Sequence, residues 1–182
     1  MTRTGVTRKR QLKDDWVPLG EALCRGDDAA ATKEAAAAPG VKVTVLQEIT
    51  EDIRRECSQM CRKDSNSLFK QSSPEDLADW NFDAQDMELH TKAPMLMTML
   101  TAAGVNEQRM KVNTKKTVDV VQRGIVEAAG VLLYCRNRTM NAHQTLTALQ
   151  LHVGLASQGT FDRLNKRGLC TEHHMVTSLQ ER

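Results

Sequence analysis

The chain has 182 residues, of which 40% are hydrophobic, 26% charged and only 3% aromatic, and its formal net charge is +2. No stretch approaches the roughly 20 consecutive apolar residues of a spanning helix, so the sequence implies no membrane partner. Few aromatic and β-branched residues argue against a β-sandwich or barrel, and so small a net charge sets up no global field to recruit nucleic acid or acidic lipid.

Residues 1–40 read as a disordered basic and alanine-rich tail. Arg3, Arg8, Lys9, Arg10 and Lys13 are followed by no apolar run of the kind a secretory signal needs, which points to an intracellular protein. Arg8-Lys9-Arg10 suits either a solvated terminus or a nuclear-import patch. Seven of the ten residues 29–38 are alanine, ahead of Pro39-Gly40. Such a run favours helix locally but has little apolar area for docking, so it predicts at most a transient helix ended by the Pro-Gly pair. Five cysteines at irregular spacing read as reduced thiols, mostly small core hydrophobes.

From residue 41 to 182 the pattern is that of an irregular all-α bundle of six to eight helices. Thr44 and Gln47 form a capping-box signature, predicting a helix from Val45 with Leu46, Ile49, Ile53, Cys57 and Met60 on one face. Ser73-Pro74-Glu75-Asp76 is a second start, burying Leu77 and Trp80, and Asp83 is placed to cap the helix after it. Six carboxylates and no Lys or Arg lie between Glu75 and Glu88. Pairs such as Asp83 with Asp86, or Asp86 with Glu88, have the chemistry to hold a divalent metal, but helix-start acids account for them without one. Pro94 opens a helix over Met95–Ala103 with Gly104 at its end, and Met95, Leu96, Met99, Leu100 and Ala103 make its apolar face.

The most apolar segment follows, from Thr117 to Arg136, with Val121, Ile125, Ala128 and Leu132 as its predicted core stripe, widened by Val118, Ala129, Val131 and Leu133. Gly124 and Gly130 each cost up to ~1 kcal/mol there, which close approach of a neighbouring helix would offset. Asn141 with Gln144 reads as a capping pair for a helix reaching about Gly154. A shorter helix holds Phe161 and Leu164 and ends at Gly168, with Leu169 folding back in a Schellman close. Thr171 is then placed to cap a last helix, which the chain leaves without a stop signal, as a fragment of a longer protein would.

The helix–glycine turn–helix over residues 161–179 invites a helix-turn-helix reading. Arg163, Lys166, Arg167, His173 and Arg182 are then the candidate nucleic-acid contacts, in a region holding 11 Lys/Arg against 6 Asp/Glu from Val105 onward. Cys57 with Cys61, and Cys170 with His173, have metal-site spacings but are far apart in sequence, and buried thiols are the simpler reading. No phosphate-binding glycine loop, H-E-x-x-H or G-x-S-x-G motif occurs. The sequence therefore names no catalytic residue, no cofactor and no metal ligand.

The runs Ala128-Ala129-Gly130-Val131-Leu132-Leu133-Tyr134-Cys135-Arg136-Asn137-Arg138, Asn141-Ala142-His143-Gln144 and Phe161-Asp162-Arg163-Leu164-Asn165-Lys166-Arg167-Gly168-Leu169-Cys170-Thr171 are similar to a group of uncharacterised, transposon-type proteins of animals and fungi. The similarity extends from about Val118 to Leu179, with a fainter echo around Ala93-Pro94. It implies the non-catalytic, N-terminal helical part of a mobile-element-like protein, associated with DNA in the nucleus. The alternative, from the residues themselves, is a protein-interaction or self-association domain that uses exposed apolar helix faces and has no nucleic-acid role.

Overall fold

The computed structural model describes residues 16–106, 108 and 115–180. Among these residues it holds ten α-helices and no strand, so the chain is all-α. It divides into two compact units, Met1–Glu51 and Asp52–Arg182.

In the first unit, α1 (Val17–Cys24) packs against α2 (Asp28–Ala37). Gly26, at φ 69°, closes α1 with hydrogen bonds from Asp27 N–H to Ala22 O and from Gly26 N–H to Leu23 O, and Asp27 Oδ1 then caps α2 through Ala30 N–H at 3.0 Å. Ala22 and Ala31 are the buried residues. The segment read as a disordered tail is thus corrected over residues 17–37: two abutting local signals, a glycine stop and an aspartate cap, fold it into a helix pair with an alanine interface. Residues 1–15, with the basic cluster, lie outside the described residues. Pro39 also acts against expectation. It starts α3 (Pro39–Met60), consistent with the tolerance of proline in a first turn, and Thr44 sits inside that helix with its hydroxyl donating to Gly40 O rather than capping.

The second unit is built on one main core. Cys57 and Met60 of α3, Phe69 of a single 3₁₀ turn (Leu68–Lys70), Leu89 of α5 (Phe82–Lys92), Leu96 and Met97 of α6 (Pro94–Gly104), and Ile125, Val126, Ala129 and Leu133 of α7 (Lys115–Arg136) are buried together. Ser73 caps the short α4 (Pro74–Ala78) as predicted, and Asp76 reciprocates to complete a capping box. Asn81, not Asp83, caps α5, its Oδ1 accepting from Asp83 and Ala84 N–H. Helix α6 has only Ala93 at its cap position. The missing acceptor comes from α3: the Glu56 carboxylate takes Met95 N–H at 3.0 Å and Leu96 N–H at 3.1 Å. This charged cap also faces the positive end of the α6 dipole. Glu56→Ala is expected to lower the unfolding free energy by about 2 kcal/mol in urea titration, with Glu56→Gln recovering part of it.

Two predicted faces are rotated. On α6 the buried pair is Leu96 and Met97, while Met99 is half exposed. On α7, Ile125, Ala129 and Leu133 are buried as expected and Val121 packs against the core, but Ala128 and Leu132 face out and Val126 is buried instead. α8 (Ala142–Val153) begins where predicted, yet Asn141 makes no side-chain cap. It ends with Leu155 at φ 55°, in a position that glycine adopts at lower cost. α9 (Gln158–Lys166) closes as expected: Gly168 has φ 72°, with Leu169 N–H bonded to Leu164 O and Gly168 N–H to Asn165 O, the paired bonds of a Schellman motif. A smaller core of Ala148, Phe161, Cys170 and Val176 joins α8, α9 and α10 (His173–Gln180). Thr171 does not cap α10. Its hydroxyl is buried without a partner.

Candidate functional site

The predicted nucleic-acid residues separate into three groups. Arg163, Lys166 and Arg167 are exposed and stand at i, i+3 and i+4 on α9 and its C-cap, one face of the helix. His173 is instead packed, its ring edge-on to Phe161 at 4.7 Å and 5.5 Å from His152. Arg182 lies outside the described residues. The cleft between α9 and α10, of about 320 Å³, is lined by Asp162 and Glu172 as well as Lys166, and these carboxylates offset the local positive charge. Six residues, 167–172, separate the two helices, more than the three or four of a helix-turn-helix.

Cys57 and Cys170 are buried and Cys61 is half-buried, while Cys24 and Cys135 are exposed. Cys170 Sγ donates to Phe161 O at 3.5 Å, and burial raises its pKa. Burial likewise pushes the Cys57 and Cys61 thiols up, with Arg136 opposing. A raised pKa keeps these sulfurs protonated, in the form that neither attacks nor binds metal. Three of the six carboxylates in the acidic run are engaged within the chain, Asp76 in the α4 cap and two more beyond it. Glu88 is buried, accepting Leu68 N–H at 2.8 Å and pairing with Lys92 Nζ at 2.9 Å, while Asp86 accepts from Gln122 Nε2 at 2.8 Å. Among the described residues no group of three or more His, Cys, Asp or Glu side chains is disposed to hold a metal ion.

A different surface has the features of a binding site. The outward face of α7 carries Val120 (61% exposed), Gly124, Ala128 and Leu132 (50% exposed), each four residues from the last. Beside it, between α7 and α8, lies a groove of about 400 Å³ whose walls include Ala128, Val131, Leu146, Leu164 and Leu169. Its lining also contains His143 and Gln144, both more than nine-tenths buried. His143 sits among Phe69 (stacked at 5.4 Å), Trp80 (4.7 Å) and Phe82 (6.0 Å). Burial lowers its pKa from 6.5 to about 4, so it is neutral at physiological pH. Gln144 fastens the Gly168 turn to α8, donating through Nε2 to Gly168 O and accepting Thr171 N–H at its backbone oxygen. His143 Nε2 and Gln144 Oε1 have no hydrogen-bond partner. Buried polar atoms are ordinarily satisfied. Trp80 Nε1, Gln85 Oε1, Asp86 Oδ1 and Thr171 Oγ1 also lack a hydrogen-bond partner elsewhere, so it is the exposed apolar stripe beside this groove that distinguishes it.

The sequence reading missed this groove for a definite reason. It assigned Ala128 and Leu132 to the core, and a helix with apolar residues on two sides does not show by periodicity which side is covered. The detectable signal was Gly124, a glycine in a helix interior. No protein-family model, no curated protein and no solved structure matches the chain.

Proposed function

We propose that the chain is a non-catalytic helical interaction module that receives an apolar helix of a protein partner along α7, over the α7–α8 groove. The observation carrying this reading is the exposed Val120–Gly124–Ala128–Leu132 stripe beside a cavity containing two unpartnered buried polar atoms. Exposed apolar surface of this kind marks an interaction site, and small residues four apart let a second helix approach closely. Arg123 and Glu127, both exposed, flank the stripe and offer charges to a partner's rim. The protonated thiols of Cys57, Cys61 and Cys170 and the neutral, encaged His143 support a non-catalytic role. Nile red, an uncharged probe of apolar surface, tests the site. Its fluorescence is expected to rise on adding folded protein and to fall severalfold for the double variant Ala128→Gln/Leu132→Gln at unchanged Tm. Equal fluorescence from both proteins would remove the proposal.

A second reading rests on Arg163, Lys166 and Arg167, which share one exposed face and form no ion pair among the described residues. In this reading α9 contacts DNA phosphates. Anisotropy with duplex DNA should then show binding at low salt that weakens steeply as salt rises, and salt-independent or absent binding excludes it. The resemblance to transposon-type proteins spans both surfaces and favours neither.

A further inference from the structure

We infer that the helix received along α7 is α7 of a second copy of this chain, running antiparallel, with its midpoint near residue 126; this rests on the docking reading above. The stripe is symmetric in size: large at Val120, small at Gly124 and Ala128, large at Leu132. In an antiparallel pair centred on 126, Gly124 of one copy lies opposite Ala128 of the other, and Val120 opposite Leu132. The small residues meet where the helices approach most closely, and the large ones fill the divergence to either side.

Gly124 supports this arrangement. A Cβ added there meets nothing within 4 Å, so no contact within the chain explains a glycine in mid-helix, whereas a crossing helix does. The charges are complementary in the same register. Arg123, whose guanidinium also lies 5.7 Å from the centre of its own Phe82 ring, falls on the same side of the helix pair as Glu127 of the other copy, two residues or about 3 Å apart along the axis. Two-fold symmetry repeats the pair on the opposite half, as in any isologous contact, so that two opposite-charge pairs outweigh the single Glu127–Glu127 pair at the same offset. The adjoining groove, with Leu146 and Leu164 in its walls and His143 and Gln144 in its lining, extends the surface that the second copy would cover.

Sedimentation equilibrium over a wide concentration range is expected to show a reversible monomer–dimer equilibrium. Arg123→Glu brings like charges together at both ends of the contact, as does Glu127→Arg, and each should weaken the dimer about tenfold or more. An equimolar mixture of the two variants makes every cross-pair opposite in charge and should restore association. Gly124→Leu, at a position with open space around it, should leave the fold intact and abolish the dimer even where a charge reversal perturbs folding. A wild type that stays monomeric overturns the inference, and so does a dimer indifferent to all three substitutions or a mixture no stronger than its components. If the monomeric wild type still takes up Nile red in a manner dependent on Ala128 and Leu132, only the second copy is rejected and the groove stands.

Discussion

Acidification from about pH 7 to about pH 4 is expected to remove on the order of 3 kcal/mol more unfolding free energy from the wild type than from a His143→Gln variant. In the unfolded chain this histidine titrates near 6.5, and in the folded protein burial holds it at about 4. Between those values the unfolded state binds a proton that the folded state does not. Stability is therefore fully present above about 6.5 and is lost progressively as pH falls towards 4. The cause is geometric: three aromatic rings surround the imidazole and its Nε2 has no partner, so an imidazolium there would be desolvated without compensation. Carboxylates also titrate near the lower end of this range, but they are common to both proteins and cancel in the difference. Urea midpoints at several pH values give the comparison, and parallel pH curves for the two proteins would contradict it.

The fold class was readable because most helix limits are local. Ser73 with Asp76 and Gly168 with Leu169 encode their motifs within a few residues, and the structure contains both. The errors arose where the decisive partner is distant in sequence. Glu56 caps α6 from 39 residues away, which no spacing rule reveals, and Thr44 has the residue type of a cap while Pro39 has already begun the helix. The inward face of α7 depends on where α5, α6 and α8 lie, so the apolar pattern identified the helix and much of its buried face, Ile125, Ala129 and Leu133, but put Ala128 and Leu132 inside as well. The groove was illegible for the same reason: His143 and Gln144 became notable only once their surroundings left two polar atoms unpaired. Cations on α9 could be read directly from sequence, but the neighbouring Asp162 and Glu172 that dilute them line the same cleft only in the folded chain.

The two α7 glycines yield the sharpest stability contrast, because the same substitution is expected to act in opposite directions six residues apart. At Gly130 an added Cβ would lie 2.6 Å from His143 Cδ2 and 3.0 Å from Cγ. The imidazole is hemmed in by Phe69, Trp80 and Phe82 and cannot swing clear, so α7 and α8 must separate or the aromatic cluster must shift. Overpacking of this kind costs about 1–3 kcal/mol, against a helix-propensity gain of up to about 1 kcal/mol for alanine over glycine. Gly130→Ala is thus expected to destabilise by about 1–2 kcal/mol, and Gly130→Leu by roughly 3 kcal/mol or more. At Gly124 the added methyl has open space, so Gly124→Ala should stabilise the monomer by up to about 1 kcal/mol. Urea unfolding at concentrations low enough to keep the protein monomeric measures both. Destabilisation by Gly124→Ala under those conditions would mean that its surroundings are already filled within one chain, while a neutral Gly130→Ala would mean that α8 does not press against α7 at His143.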